Sequence, residues 1–148
     1  MSKPVLLLLS FVSCAAFAHT GIVANKDLVP RSPRTSLKTA PCGGIPRTAM
    51  PSVHKSGATI TVNWKETIQH PGRYEFYFSP AGDANFVLLK TVPDTQDGED
   101  DLPHFYQTDI TLPNITCNDC TFQLVQVMME VPAKPKNYYS CADVVLTK

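Results

Sequence analysis

The sequence feature that most limits the fold is a change of rhythm near residue 57. From there to the end, apolar residues return at every second position in short runs. "ATITVNW" sets Ile60, Val62 and Trp64 against Thr and Asn, and "RYEFYFS" sets Tyr74, Phe76 and Phe78 against Arg73, Glu75 and Tyr77. "FVLLKTV" is a further short apolar run, and "YQTDITL" alternates Tyr106, Thr108, Ile110 and Leu112 with polar neighbours. Only an extended chain throws successive side chains to opposite sides, so this period marks strands with one buried face. "TFQLVQVMME" starts in one phase with Phe122 and Leu124 and continues in the other with Val125, Val127 and Met129. That slip predicts a bulge, or a strand covered on both faces. "YYSCADVVLTK" closes the chain. Turn signals separate the runs at His70-Pro71-Gly72, Pro80 to Asp83, the acidic "DTQDGEDD" and Leu112-Pro113-Asn114. Six or seven short strands with no long amphipathic helix and no internal repeat predict an all-β, antiparallel β-sandwich.

The residues before this rhythm divide in two. Residues 1–18 carry Lys3, then the apolar "VLLLLSF", then Ala16-Phe17-Ala18, an A-x-A cleavage site. This is the pattern of a secretory signal peptide, and the apolar run falls short of the roughly 20 residues that span a bilayer. "FVSC" before Ala15 also has a faint likeness to a lipoprotein signal ending at Cys14. With the cut after Ala18, residues 19–148 form one secreted or periplasmic domain. Residues 19–56, rich in Pro, Thr, Ser, Arg and Gly, show neither period and read as a long ordered loop turned at Gly43-Gly44.

Charge and cysteine count narrow the partners. The whole chain has 13 basic and 13 acidic residues, and the leader removes only Lys3. Such a balance argues against nucleic acid and anionic membranes as partners. Of five cysteines, Cys14 leaves with the leader, and Cys42, Cys117, Cys120 and Cys141 remain. An even number in an exported chain predicts two disulfides, with all three pairings open. A lone C-x-x-C is too little for a zinc ribbon and lacks the strand-then-helix setting of a thioredoxin motif. "DTQDGEDD" lacks the ligand order of an EF-hand and reads as a solvated turn. Asn114-Ile115-Thr116 is a glycosylation sequon where the host glycosylates.

The stretch "AFAHTG" makes His19 the first residue after the cut. An N-terminal histidine offers an α-amine and an imidazole nitrogen that close one chelate ring. A second histidine then completes an all-nitrogen, T-shaped set, which suits copper; zinc prefers a tetrahedron. His70 is the expected partner, because it follows the strand through Trp64 and precedes the turn Pro71-Gly72. His104, at a loop-to-strand junction, is the other candidate. His54 reads as a solvated turn residue.

These residues carry a resemblance. The His19 start, "PRTSLKTAPCGG", "ETIQHPGRYEF", "YQTDITLPNITCNDCTFQLVQVM" and "YYSCADV" are similar to the copper-dependent lytic polysaccharide monooxygenases and related chitin-binding type 4 domains. More closely, they resemble a compact bacterial polysaccharide monooxygenase-like group. "PCGG" with a terminal "YxCAD" also resembles fungal copper-acquisition relatives. The resemblance covers nearly all of residues 19–148. It implies an immunoglobulin-like or fibronectin-like sandwich binding one copper ion through a histidine brace of His19 and His70. It also implies an axial aromatic at Tyr138 (Tyr139 if the register slips), a structural Asp143, and disulfides Cys42–Cys141 and Cys117–Cys120. The implied partners are a polysaccharide such as chitin or cellulose, or a copper-handling protein, with the chain itself a monomer. In the full enzymes a long insertion between the brace histidines builds a flat sugar-binding face. Here about 50 residues separate His19 from His70, with no aromatic between Thr20 and Ala58. A flat stacking face is therefore not expected.

Overall fold

A computed structural model describes residues 19–35, 37–96, 98 and 100–148; the signal peptide expected at 1–18 lies outside the described residues. The strands are β1 (Thr20–Val23), β2 (Ser52–Lys55), β3 (Thr59–Glu66), β4 (Gly72–Ser79), β5 (Val87–Pro93), β6 (His104–Thr111), β7 (Cys117–Met128) and β8 (Lys136–Thr147). They form an immunoglobulin-like sandwich of two sheets, one ordered β1-β3-β6 and the other β2-β8-β7-β4-β5. No helix among the described residues is long and apolar enough to cross a membrane.

The alternating runs become β3 to β8, and their in-phase residues meet between the sheets. Ile60, Val62 and Trp64 of β3 face Tyr74, Phe76 and Phe78 of β4, Phe122 and Leu124 of β7, and Ala142, Val144 and Leu146 of β8. Trp64 is fully buried, stacked on Tyr106 at 5.2 Å and edge-on to Tyr74 and Phe76 at 5.3 and 5.0 Å. Offset and T-shaped pairs of this kind add to the area each ring removes from water.

Three expectations need correction. Residues 19–56 are not all loop, because β1 and β2 lie within them. Each has only four residues, too few to display a period, and β1 is buried at three of them. The sandwich is not wholly antiparallel, since β2 runs parallel to β8 along Ser52↔Val144 to Lys55↔Thr147. His54 therefore sits in a strand, its Nε2 2.7 Å from the Asp27 carbonyl, and is not a turn residue.

The phase slip in β7 is resolved by the second alternative. Residues 120–128 are buried without interruption, because the loop after β1 covers the outer face of their sheet. The loop is tied there by Cys42–Cys141, by Gln123 Nε2 donating to the Pro41 carbonyl at 2.7 Å, and by the Tyr139 amide donating to Leu37 at 2.8 Å. It also carries a charged knot. The Arg31 guanidinium bonds Asp143 at 2.6 Å and Asp83 at 2.6 and 2.8 Å, and the Arg31 and Asp143 side chains are each only 1% exposed. Burial draws the Arg31 pKa down, but the two carboxylates more than offset this and hold it above its ordinary value. The Cys117–Cys120 bridge joins close neighbours at the start of β7.

Candidate metal centre

The site lies where β1 and β8 begin and β3 and β7 end. Antiparallel pairing of β1 with β3 sets Thr20 opposite Glu66, which brings His19 beside Thr67. The His19 nitrogen donates to Thr67 Oγ1 at 2.9 Å, and the Thr67 amide donates back to the His19 carbonyl at 2.7 Å. His19 is thus stitched to the sheet through its main chain, and its ring is free to turn to one side.

His70 is carried by the turn between β3 and β4. The Met129 amide donates to the Pro71 carbonyl at 2.7 Å and holds that turn against the end of β7. Gly72 admits no side chain, since a Cβ there would lie 2.1 Å from the Val127 carbonyl oxygen. From below, the His70 amide donates to Glu66 Oε1 at 3.2 Å. Glu66 is fully buried and also accepts from Gln126 Nε2 at 2.7 Å, with His104 Nδ1 at 3.2 Å from its other oxygen. Burial, helped by the charge of Asp94, pushes the Glu66 carboxyl up to about 7.

Three rings meet above this base. The His19 and His70 rings are parallel, 4.9 Å apart, and Tyr138 stacks on His19 at 3.5 Å. Lys38 Nζ lies 5.3 Å from the Tyr138 ring centre. Two ring nitrogens here, His19 Nδ1 and His70 Nε2, are buried without a hydrogen-bond partner. Buried polar atoms are rarely left so, and each one asks for an explanation such as a ligand. Both are chemically ready to be one. Desolvation, reinforced by His70 and Lys38, lowers the His19 pKa to about 4, so its ring is neutral at ordinary pH. On His70 the other nitrogen, Nδ1, pairs with Glu130. A carboxylate there accepts from Nδ1–H, which in the neutral ring puts the lone pair on Nε2. Among the described residues no three His, Cys, Asp or Glu side chains are grouped to hold a metal. A metal at this point would therefore need a third ligand beyond such side chains. The cavity at the mouth is about 300 Å³, lined by these rings with Lys38, Glu130, Lys134 and Lys136.

The structure thus brings His19, His70 and Tyr138 together. It leaves His104 out, because that ring is 3% exposed and turned to Glu66 in the core. Tyr139 does not enter the stack; its neighbour there is Asn137. Glu66 and Glu130 were missed from sequence. Glu66 had a signal, since it continues the inward phase of Ile60, Val62 and Trp64, where a carboxylate is out of place.

The fold and site together define an immunoglobulin-like sandwich with two unpartnered imidazoles at one end. The chain belongs to the family described as lytic polysaccharide mono-oxygenase, cellulose-degrading, whose model matches residues 29–144. That span contains His70 and Tyr138 and begins after His19. Among solved structures, a cellulose-active polysaccharide monooxygenase from M. thermophila shares the fold at a TM-score of 0.57 and 15% identity, over 84% of this chain and 64% of that one. A chitin-binding domain from Burkholderia pseudomallei aligns at a TM-score of 0.50 and 14% identity, over 66% and 57%. The cellulose-active CelS2, solved with copper, is 27% identical over 68% of this chain and 53% of that one, at a TM-score of 0.48. The chain spans between about half and two thirds of the length of these proteins. No curated protein matches it.

Proposed function

We propose that the chain is a secreted, single-domain copper protein of the lytic polysaccharide monooxygenase type. In this reading the leader is removed after Ala18, and His19 becomes the first residue. The reading rests on one observation above all: His19 Nδ1 and His70 Nε2 are buried, mutually close and unpartnered. These two nitrogens and the His19 amine would hold one copper ion. An amide at that position has no lone pair to give, whereas a free amine could keep a hydrogen for Thr67 and offer its lone pair. Bound copper would supply one-electron activation of oxygen or peroxide, leading to hydrogen abstraction from a glycosidic carbon.

The chain's own residues prepare the place. Glu130 holds the His70 Nδ1 proton, Glu66 fixes the His70 backbone, and Tyr138 shields one face of the His19 ring from water. A second reading, a copper carrier without catalysis, is favoured by the mouth of the cavity. It is lined by lysines, and its tyrosine is only 2% exposed, so no aromatic there is available to stack on a sugar.

Copper titration of the processed protein, followed by electron paramagnetic resonance, tests the shared core of both readings. A nitrogen-rich tetragonal spectrum that is lost in His70→Ala is the expected result; an unchanged spectrum removes His70 from the site. Intact mass of the exported form checks the His19 start. Oxidised sugar ends after incubation with reductant and polysaccharide separate enzyme from carrier.

A further inference from the structure

Charge is unevenly spread at this end of the sandwich. Lys38, Lys134 and Lys136 line the cavity of the two histidines, and all three are exposed. A second groove of about 310 Å³ is lined by Pro33, Arg34, Thr35, Lys65 and Thr67. The two are neighbours through His19, which lines the first and whose main chain is bonded to Thr67 of the second; Thr67 Oγ1 lies 3.4 Å from Thr35 Oγ1. The surface on either side of His19 therefore carries five cations, and none of them is ion-paired among the described residues. Among the described residues, the only carboxylate lining either groove is Glu130, which is engaged with His70. The chain as a whole is neutral. Asp94, Asp100 and Asp101 lie in the connection from β5 to β6, which reaches this same end of the sandwich but enters it at β6, across β3 from β1; the Asp94 amide donates to the Gly72 carbonyl at 3.2 Å. A cleft lined by one sign of charge concentrates ligands of the other sign.

We propose that this double groove binds an anionic polysaccharide, its acid groups paired with Lys38, Lys134 and Lys136 on one side of His19 and with Arg34 and Lys65 on the other. The inference rests on reading the cavity as the place where a glycan meets the chain. It replaces a stacking face, which this mouth lacks, with point charges that require charged sugars.

The test uses the full chain stripped of metal, so that glycan binding and copper binding are scored separately. Binding to polygalacturonate, chondroitin sulfate, chitin, cellulose and duplex DNA is measured by calorimetry or pull-down. At least one acidic glycan is expected to bind about tenfold or more tighter than the neutral polymers, and to weaken about tenfold as ionic strength rises from roughly 0.02 to 0.3 M. The triple variant Lys38→Gln/Lys134→Gln/Lys136→Gln is expected to lose about tenfold, from three exposed pairs acting together. Lys55→Gln, at the opposite end of the sandwich, is expected to bind as the wild type does. Preference for chondroitin sulfate over polygalacturonate would assign the acid group as sulfate; the reverse would assign carboxylate. Equal or better binding of chitin or cellulose, no binding of either acidic glycan, or equally tight binding of duplex DNA would overturn the proposal. Copper titration of the same samples keeps the two readings apart. Glycan binding without copper binding would sink the brace alone, and copper binding without glycan binding would sink this surface alone.

Discussion

Two buried polar clusters lie in this small sandwich, and they differ in what is left over. In the knot around Arg31, the charges are matched, because Arg47 joins Arg31 in facing Asp83 and Asp143. The Arg31 guanidinium meets Asp83 and Asp143, adds Thr121 and the Ile45 carbonyl, and the second oxygen of Asp143 takes the Thr48 amide at 2.6 Å. In the cluster around His19, Glu66 and Glu130 take up donors at the base, but Gln126 Oε1 below and two ring nitrogens at the top have no partner. A complete set of partners marks a group whose work is to hold the loop down. An incomplete one marks a place shaped for something the polypeptide does not itself supply.

The contrast can be broken at several points. The largest loss of stability is expected for Asp143→Ala, which leaves the Arg31 guanidinium buried with one partner gone. Removing one member of a buried pair costs about 3–5 kcal/mol, to be read from urea unfolding. If the loss is under about 1 kcal/mol, the knot is not what secures the loop. Glu66→Ala should come next, at about 2–3 kcal/mol, because its buried donors, including Gln126 Nε2, would lose their acceptor. Glu66→Gln should lose less and keep more of any copper affinity.

Acid should unpick the knot before the core. The hydrogen bond from Arg31 holds the Asp83 carboxyl below its ordinary value of 3.8, so the folded state binds its proton less readily than the unfolded chain. The stabilisation is complete above the unfolded value and is lost as pH falls through the lower, folded one. Asp83 is 30% exposed, so the effect should stay near or below about 1 kcal/mol. Melting temperatures measured downward from about pH 5 should fall less steeply in Asp83→Asn than in the wild type. The smallest stability change, within about 0.5 kcal/mol, is expected for His70→Ala, since its Nε2 has no partner to lose and its Nδ1 gives up only a pairing with the exposed Glu130. A large destabilisation there would make His70 a structural residue and erase the contrast.

How much of this could be read in advance follows from the range of each interaction. The strands β3 to β8 were legible because alternation is written locally, residue by residue. β1 and β2 were not, because four residues show no period and the parallel pairing of β2 with β8 joins residues about 90 apart. His19, His70 and Tyr138 could be named from a cleavage motif, a turn and a resemblance, and the structure sets their rings in one stack. Glu130 and the lysines could not. They sit in segments without pattern, and their place beside His70 depends on where β7 ends. The knot was half legible: Asp143 was expected to be structural, but nothing in "VPRSP" foretold that Arg31 would be its partner.

The bond between the His19 nitrogen and Thr67 has a practical side. The nitrogen just ahead of β1 is fastened by its neighbour whether or not anything precedes it. On the proposed reading, a recombinant product with one leftover residue ahead of His19 would show the same dichroism, the same bridges and the same melting curve. It would pass all of these checks, differing only in mass, and still be unable to take up its metal.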